Sequence, residues 1–261
     1  MDHEKINAKG EEQRKNHQRI AVVADIHGNL PALECVIADI RSRSIDHVIN
    51  LGDHASGPLW PSETVELLRR QPWTQIAGNC DRLVANALPE SLGASDRCAY
   101  DALGAEQRRW LGALPPLAMV GDSVLAFHGT PSDDSTYLLE TVEGTATRLA
   151  TLSEITQRLA AVEHPVMLCG HSHIPRVVRH GQSLVVNPGS VGLPAYDSGG
   201  DAPHTMETGS PDARYAVLES RGASWRVELL SVSYDYRDAV ERAEQNGRRD
   251  WARALRTGFI V

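Results

Sequence analysis

The chain has 261 residues, 41% hydrophobic and 23% charged, which is enough to bury a sizeable core. A formal net charge of -8 excludes the basic footprint that holds long nucleic acid, so any bound phosphate must be neutralised locally. No run approaches the roughly 20 apolar residues of a membrane helix, and four cysteines without a CxxC spacing exclude a disulfide-stapled scaffold.

Residues 1–17 read as a disordered polar tail without the apolar core of a signal peptide, and 18–261 as a single domain. Gln18 to Ala24 reads as a buried strand, and Leu30 to Arg43 as a helix with Leu33, Val36, Ile37 and Ile40 on one face. His47 to Leu51 is a second strand, Pro61 opens a helix through Arg70, and Thr74 to Ala77 is a third strand. This βαβαβ order argues for parallel strands with helices on their faces. Arg108 to Leu114 reads as helix, and Leu117–Val120 with Ser123–Phe127 as a hairpin. Ser153–Val162 is amphipathic and Val166–Cys169 is a buried strand. Arg176–Arg179 with Leu184–Val186, and Ala213–Leu218 with Trp225–Tyr234, form further strand pairs before a helical tail from Arg237 to Leu255. Leu193 to Asp212, rich in Gly, Pro, Asp and Ser, reads as a long loop. Cys35 and Cys169 lie on apolar patterns and read as buried free thiols, so a cytoplasmic location is expected.

Five strands end in residues of one chemical type. Asp25 and His27 follow the first, Asp53 the second and Asn79 the third; His128 follows Ser123–Phe127, and His171 and His173 follow Val166–Cys169. Ligands gather beyond the carboxyl ends of strands in α/β sheets, so these residues should converge. The i, i+2 spacing of Asp25/His27 and His171/His173 puts both side chains on one side of an extended chain. Any one of them alone has a plain reading as a helix cap or turn residue, but the coincidence of five clusters does not. The set of His, Asp and Asn is a mixed nitrogen and oxygen donor set, suited to manganese first and otherwise to Fe, Zn, Ni or Co. Seven donors are too many for one catalytic ion and right for two, with Asp53 as the expected bridge because it stands alone on what reads as the central strand.

The ordered set Asp25-Ile26-His27, Gly52-Asp53, Gly78-Asn79, His128-Gly129 and Gly170-His171-Ser172-His173 resembles the calcineurin-like metallophosphoesterase superfamily. The Asn187-Pro188-Gly189-Ser190 turn extends the likeness toward its small bacterial and archaeal phosphodiesterase-like branch. The resemblance implies an α/β fold, a four-layer α/β/β/α sandwich of two mixed sheets flanked by helices. It implies that Asp25, His27, Asp53 and His173 hold one divalent ion, and Asp53, Asn79, His128 and His171 the other. The expected activity is phosphoester hydrolysis, as phosphatase or phosphodiesterase, by in-line attack of a hydroxide bridging the two ions. The expected partner is a small phosphorylated, nucleotide-like substrate, with no long nucleic acid and no membrane.

One position departs from the pattern. Many members carry histidine directly after Gly-Asn as a leaving-group acid or phosphate contact, and here that residue is Cys80, followed by Asp81 and Arg82. Asp53, Asn79, His128 and Asp81 are therefore the candidate catalytic residues, with His54 or water as other sources of the proton. Asn29, His54, Cys80 and Arg82 are candidate substrate contacts. The competing readings are a catalytically weak metal-binding scaffold, or a nucleotide or protein phosphatase.

Overall fold

A computed structural model describes residues 18–199, 202–222 and 224–260; the tail 1–17 lies outside the described residues. In chain order come β1 (Arg19–Val23), α1 (Leu30–Ser42), β2 (His47–Asn50), α2 (Pro61–Arg69) and β3 (Thr74–Gln75). Three helices follow, α3 (Asn79–Asn86), α4 (Ala94–Ala102) and α5 (Ala105–Gly112). The hairpin β4 (Leu117–Val120) and β5 (Val124–Phe127) precedes β6 (Glu140–Glu143), β7 (Ala146–Leu149) and α6 (Leu152–Leu159). Next come β8 (Val166–Leu168), β9 (Arg176–His180), β10 (Ser183–Asn187), β11 (Ala195–Asp197) and β12 (Thr205–Glu207). The chain ends with β13 (Ala213–Arg221), β14 (Ser224–Val232), α7 (Arg237–Gln245) and α8 (Arg249–Thr257).

Two five-stranded mixed sheets form, ordered β14-β13-β1-β2-β3 and β4-β5-β8-β10-β9. The strand period of two explains how they pack. Ile20 and Val22 of β1 face inward with Ile49 of β2. They meet Val124 and Ala126, Val166 and Leu168, and Leu184 and Val186 from the second sheet in one buried cluster. Ala21 and Val23 face the other way, onto Leu33, Val36, Ile37 and Ile40 of α1. On the far face of the second sheet, Leu125, Phe127, Met167 and Val185 pack on Ile155 and Leu159 of α6. Four layers result, α/β/β/α, and each large side chain in these clusters contributes roughly 1.5–3 kcal/mol by leaving water.

Several elements differ from the sequence reading. The helical tail is two helices, because Gly247 takes a left-handed φ of +73° and the Arg248 amide turns back to the Ala243 carbonyl. The long loop from Leu193 to Asp212 holds a small antiparallel ribbon, β11 with β12. α3 and α4 formed where no helix was expected, and the β6–β7 ribbon was also unforeseen. Cys35 is half-buried at the margin of α1 rather than buried, while Cys169 is buried as expected. The third strand of the five-stranded order is β1, so Asp53 follows a strand next to the centre and not the central one. Among the described residues no helix is long and apolar enough to cross a membrane.

Candidate metal centre

The strand ends turn sharply before the side chains meet. Asp25, His27, Asp53, His171 and His173 all have left-handed backbone, with φ between +51° and +66°. The extended geometry expected for the two i, i+2 pairs is therefore corrected: they converge through left-handed turns. Asp and His tolerate this region better than most residues, yet each position costs roughly 1–3 kcal/mol. Five of the eight non-glycine residues with positive φ among those described belong to this one site. Such strain persists where surrounding structure over-determines it, and it concentrates where function needs it.

Glycine is required at one crossing. A Cβ on Gly78 would overlap Asp53 Oδ1, and one on Gly52 would overlap the Gly78 amide. The turns after β2 and β3 thus approach to backbone contact, and this brings Asp53 beside Asn79.

The imidazoles are oriented by main-chain carbonyls. His27 Nδ1–H donates to the Ser56 carbonyl at 2.8 Å, His128 Nδ1–H to that of Leu51 at 2.7 Å, and His173 Nδ1–H to that of Leu193 at 2.7 Å. Each bond fixes the tautomer and leaves the Nε2 lone pair aimed at the centre, the usual support for a metal-bound imidazole. His27 Nε2 and His173 Nε2 stand 3.1 Å apart. Two lone pairs at that distance repel unless a cation lies between or beside them. His128 Nε2 faces Asn79 Oδ1 at 3.0 Å, a second pairing of acceptors in the neutral tautomer.

Asp25, His27 and His173 place one donor atom each within 4.8 Å of one another, and so do Asp53, His128 and His171. Donors at about 2.0–2.2 Å from a common ion stand roughly 3–4 Å apart, so both triplets need little closure. Asp53 Oδ2 lies 3.8 Å from His27 Nε2 in one triplet and 3.5 Å from His128 Nε2 in the other. Asp25 Oδ1 is 3.5 Å from His173 Nε2 and 3.9 Å from His128 Nε2.

The side chains alone leave the charge of the site poorly balanced. Burial, with Asp53 alongside, raises the Asp25 carboxyl despite the pull of His128. Burial acts to lower His128, but Asp53 and Asp25 overcome it and push the imidazole up to about 10. A proton on His128 thus occupies the place of a cation. Burial and the neighbouring His128 push His171 down to about 4, and burial with His27 holds His173 well below its usual range. Two carboxylates beside His171 and His173, whose imidazoles favour the neutral form, are the chemistry of a divalent cation site, and the donor set fits one.

The other sequence candidates separate cleanly. Asp81 is buried, and its carboxylate accepts from the amides of Asp53 (2.8 Å), His54 (3.0 Å) and Gly78 (2.9 Å) and from His54 Nδ1 (2.7 Å). Its reading as the acid is corrected, because these four donors use its acceptors and hold the Asp53 turn in place. His54 is also corrected: it is fully buried, and its ring meets Trp110 edge-on at 5.4 Å. Asn29 caps α1 by accepting from the Ala32 amide, and donates to the Gly192 carbonyl and the Tyr234 hydroxyl. Arg82 points outward to a two-pronged pair with Asp134. None of these four lines the cavity. Cys80 does, with its amide donating to Asp53 Oδ1 at 3.0 Å.

A model of the calcineurin-like phosphoesterase superfamily domain matches residues 19–209. The chain belongs to this superfamily. The uncharacterized protein MJ0912 of Methanocaldococcus jannaschii is 26% identical over 89% of this chain and 94% of its own. The metallophosphoesterase from Sphaerobacter thermophilus superposes with a TM-score of 0.74 at 25% identity, covering 93% of this chain and 99% of that one. The hypothetical protein PH1004 from Pyrococcus horikoshii OT3 shares the fold, with a TM-score of 0.71 at 20% identity and the same coverage.

In this member of the superfamily the candidate centre opens into a cavity of about 570 Å³. Its floor carries His27, Asp53, Asn79, His171 and His173. The walls bring residues that the sequence reading missed: Ser56, Asp96, Tyr137, Tyr196, Arg248 and Trp251. Tyr137 and Tyr196 share a hydroxyl contact of 2.7 Å, and Tyr196 O–H donates to the His171 carbonyl. Asp96 had a readable signal, since Gly93-Ala94-Ser95-Asp96 is a small-residue lead into a helix with acid in its first turn.

Proposed function

We propose that this protein is a phosphoesterase that uses two divalent ions, one held by Asp25, His27 and His173 and one by His128, His171 and Asn79, with Asp53 shared. The observation that carries this reading is the set of three imidazoles, each locked by its Nδ1–H to a main-chain carbonyl, with Nε2 turned toward two buried carboxylates. Manganese suits the mixed nitrogen and oxygen donors, with Fe, Zn, Ni or Co as alternatives. Such ions supply a hydroxide nucleophile near neutral pH and offset charge on the phosphate oxygens.

The chain's own residues do the rest. Asp53 registers the two halves of the site, and the Cys80 amide holds its Oδ1 while Oδ2 faces both triplets. Asn79 presents its oxygen to the His128 side, with its amide nitrogen toward Cys80 Sγ at 3.5 Å. The cavity volume fits a small phosphorylated compound of nucleotide size. Its aromatic walls suit a flat group beside the phosphate.

The test is Asp53→Asn. With Mn²⁺ supplied, the variant should lose roughly 10³-fold or more in hydrolysis of a p-nitrophenyl phosphodiester, since several kcal/mol of charge stabilisation go with the second ion. Metal analysis should show fewer than two ions bound per chain. Full activity in that variant sinks the two-ion reading.

A further inference from the structure

The position after Asn79 holds a thiol, and burial, then Asp53 and Asp96 beside it, raise its pKa well above the ordinary cysteine value. Asp81 is clamped on amides and His54 lies away from the cavity. The carboxyls that do reach the cavity are Asp53, Asp96, Asp197 and Asp250. Asp250 is tied to Arg248, and Asp197 accepts from the Gly199 amide at the exposed rim. Asp96 is half-buried in the first turn of α4, beside Cys80.

Its placement is fixed from two sides. Ser56 Oγ–H donates to Asp96 Oδ1 at 2.7 Å, while the carbonyl of the same Ser56 accepts from His27 Nδ1–H. One residue therefore sets the position of Asp96 relative to a proposed metal ligand. The start of α4 is anchored as well, through Arg248 Nη1 on Ser95 Oγ and the Gly57 amide on the Ser95 carbonyl. Burial and the charge of Asp53 raise Asp96 above the usual carboxylate range, against the pull of Ser56 and His27. A raised carboxyl holds its proton to higher pH than an ordinary carboxylate, the direction that suits a general acid.

We propose that Asp96 protonates the departing ester oxygen, the task that position 80 does not perform in this chain. The inference rests on the phosphoesterase reading above. Water supplies the oxygen for the new bond to phosphorus and releases both its protons to solvent, leaving the phosphate product as a dianion. As the bond from phosphorus to the ester oxygen breaks, that oxygen keeps the electron pair and takes the Asp96 proton. The products are a phosphate with one ester bond fewer and a neutral alcohol, and Asp96 regains its proton from solvent.

The experiment compares two thymidine phosphodiesters on the Mn²⁺-loaded full chain, one with a p-nitrophenolate leaving group and one a thymidine dinucleotide. The first leaving group departs without a proton, and the second is an alkoxide that needs one. Asp96→Asn should lower kcat/KM for the dinucleotide by about 10²-fold or more relative to the p-nitrophenyl ester. The alkaline fall in the wild-type dinucleotide rate should vanish with it. Ser56→Ala keeps the carbonyl that holds His27 and removes the donor to Asp96, so that fall should move to higher pH. The groups that bear on this titration are Ser56 and Cys80, which hydrogen-bond the carboxyl, and Asp53 and His27 through their charge. Bound metal per chain is measured on the same samples and should stay at the wild-type value.

Equal losses on both substrates overturn the inference, as does an unchanged alkaline fall in Asp96→Asn. Wild-type activity on the p-nitrophenyl ester without activity on the dinucleotide overturns it too. Wild-type protein inactive on both substrates overturns the phosphoesterase reading itself, and the inference with it.

Discussion

The floor and the walls of the cavity are built on different principles. On the floor, His27 and His173 are aimed by carbonyls of the main chain, as is the buried His128 behind it, and Asp53 is held by the Cys80 amide. In the walls, Tyr137, Tyr196 and His204 hold one another through side chains, with Tyr137 Oη 3.0 Å from His204 Nε2. A backbone-held group can move only if the main chain that holds it moves, so these side chains are fixed by the fold. The wall is tied to the floor at few points, among them Tyr196 O–H on the His171 carbonyl.

The sharpest break of that contrast should come from Asp81. Asp81→Ala leaves three buried amides without their acceptor, and hydrogen bonds to a charged group contribute about 1.5–3 kcal/mol each. We expect a loss of about 3 kcal/mol or more in urea unfolding, and loss of bound metal, although Asp81 ligates nothing. Gly78→Ala should be nearly as damaging to metal content, because the new methyl occupies the place of Asp53 Oδ1. Metal analysis of the folded variant checks it.

Proton release sharpens the account of the floor. His128 is raised to about 10 and Asp25 is raised as well, so the metal-free site holds protons at neutral pH that an arriving ion must displace. The sign follows: apparent Mn²⁺ affinity rises with pH through the neutral range and falls as pH drops. Calorimetry in buffers of different ionisation enthalpy should report protons released on loading. Absence of any release would contradict this charge balance.

The walls should respond more gently. Tyr196→Phe removes the contacts to Tyr137 and the His171 carbonyl, at about 1 kcal/mol of stability, with KM moving more than metal content. The smallest effect belongs to Arg82→Ala. Its pair with Asp134 is half-exposed on the arginine side, and such pairs contribute about 1 kcal/mol or less.

What the sequence alone determined is the donor set of the candidate metal centre. Asp25, His27, Asp53, Asn79, His128, His171 and His173 each follow a strand whose apolar pattern is local, and local patterns are readable without knowing what they pack against. The alternation of Ile20, Ala21, Val22 and Val23 likewise announced a strand buried on both faces, which the two clusters on either side of β1 account for. Backbone conformation was not readable in the same way. The i, i+2 pairs converge through left-handed turns because amides and carbonyls distant in sequence hold them there, as when the His27 amide donates to the Asp53 carbonyl. Tertiary structure also decided the fate of Asp81, Asn29 and His54. Their residue types suit catalysis, and only their surroundings turn them into clamp, cap and buried ring. The walls lay furthest from reach: Asp96, Tyr137, Tyr196 and Trp251 come from four separate segments with no shared spacing. Nothing local links them, because their meeting is a consequence of how the helices and ribbons close over the sandwich's edge.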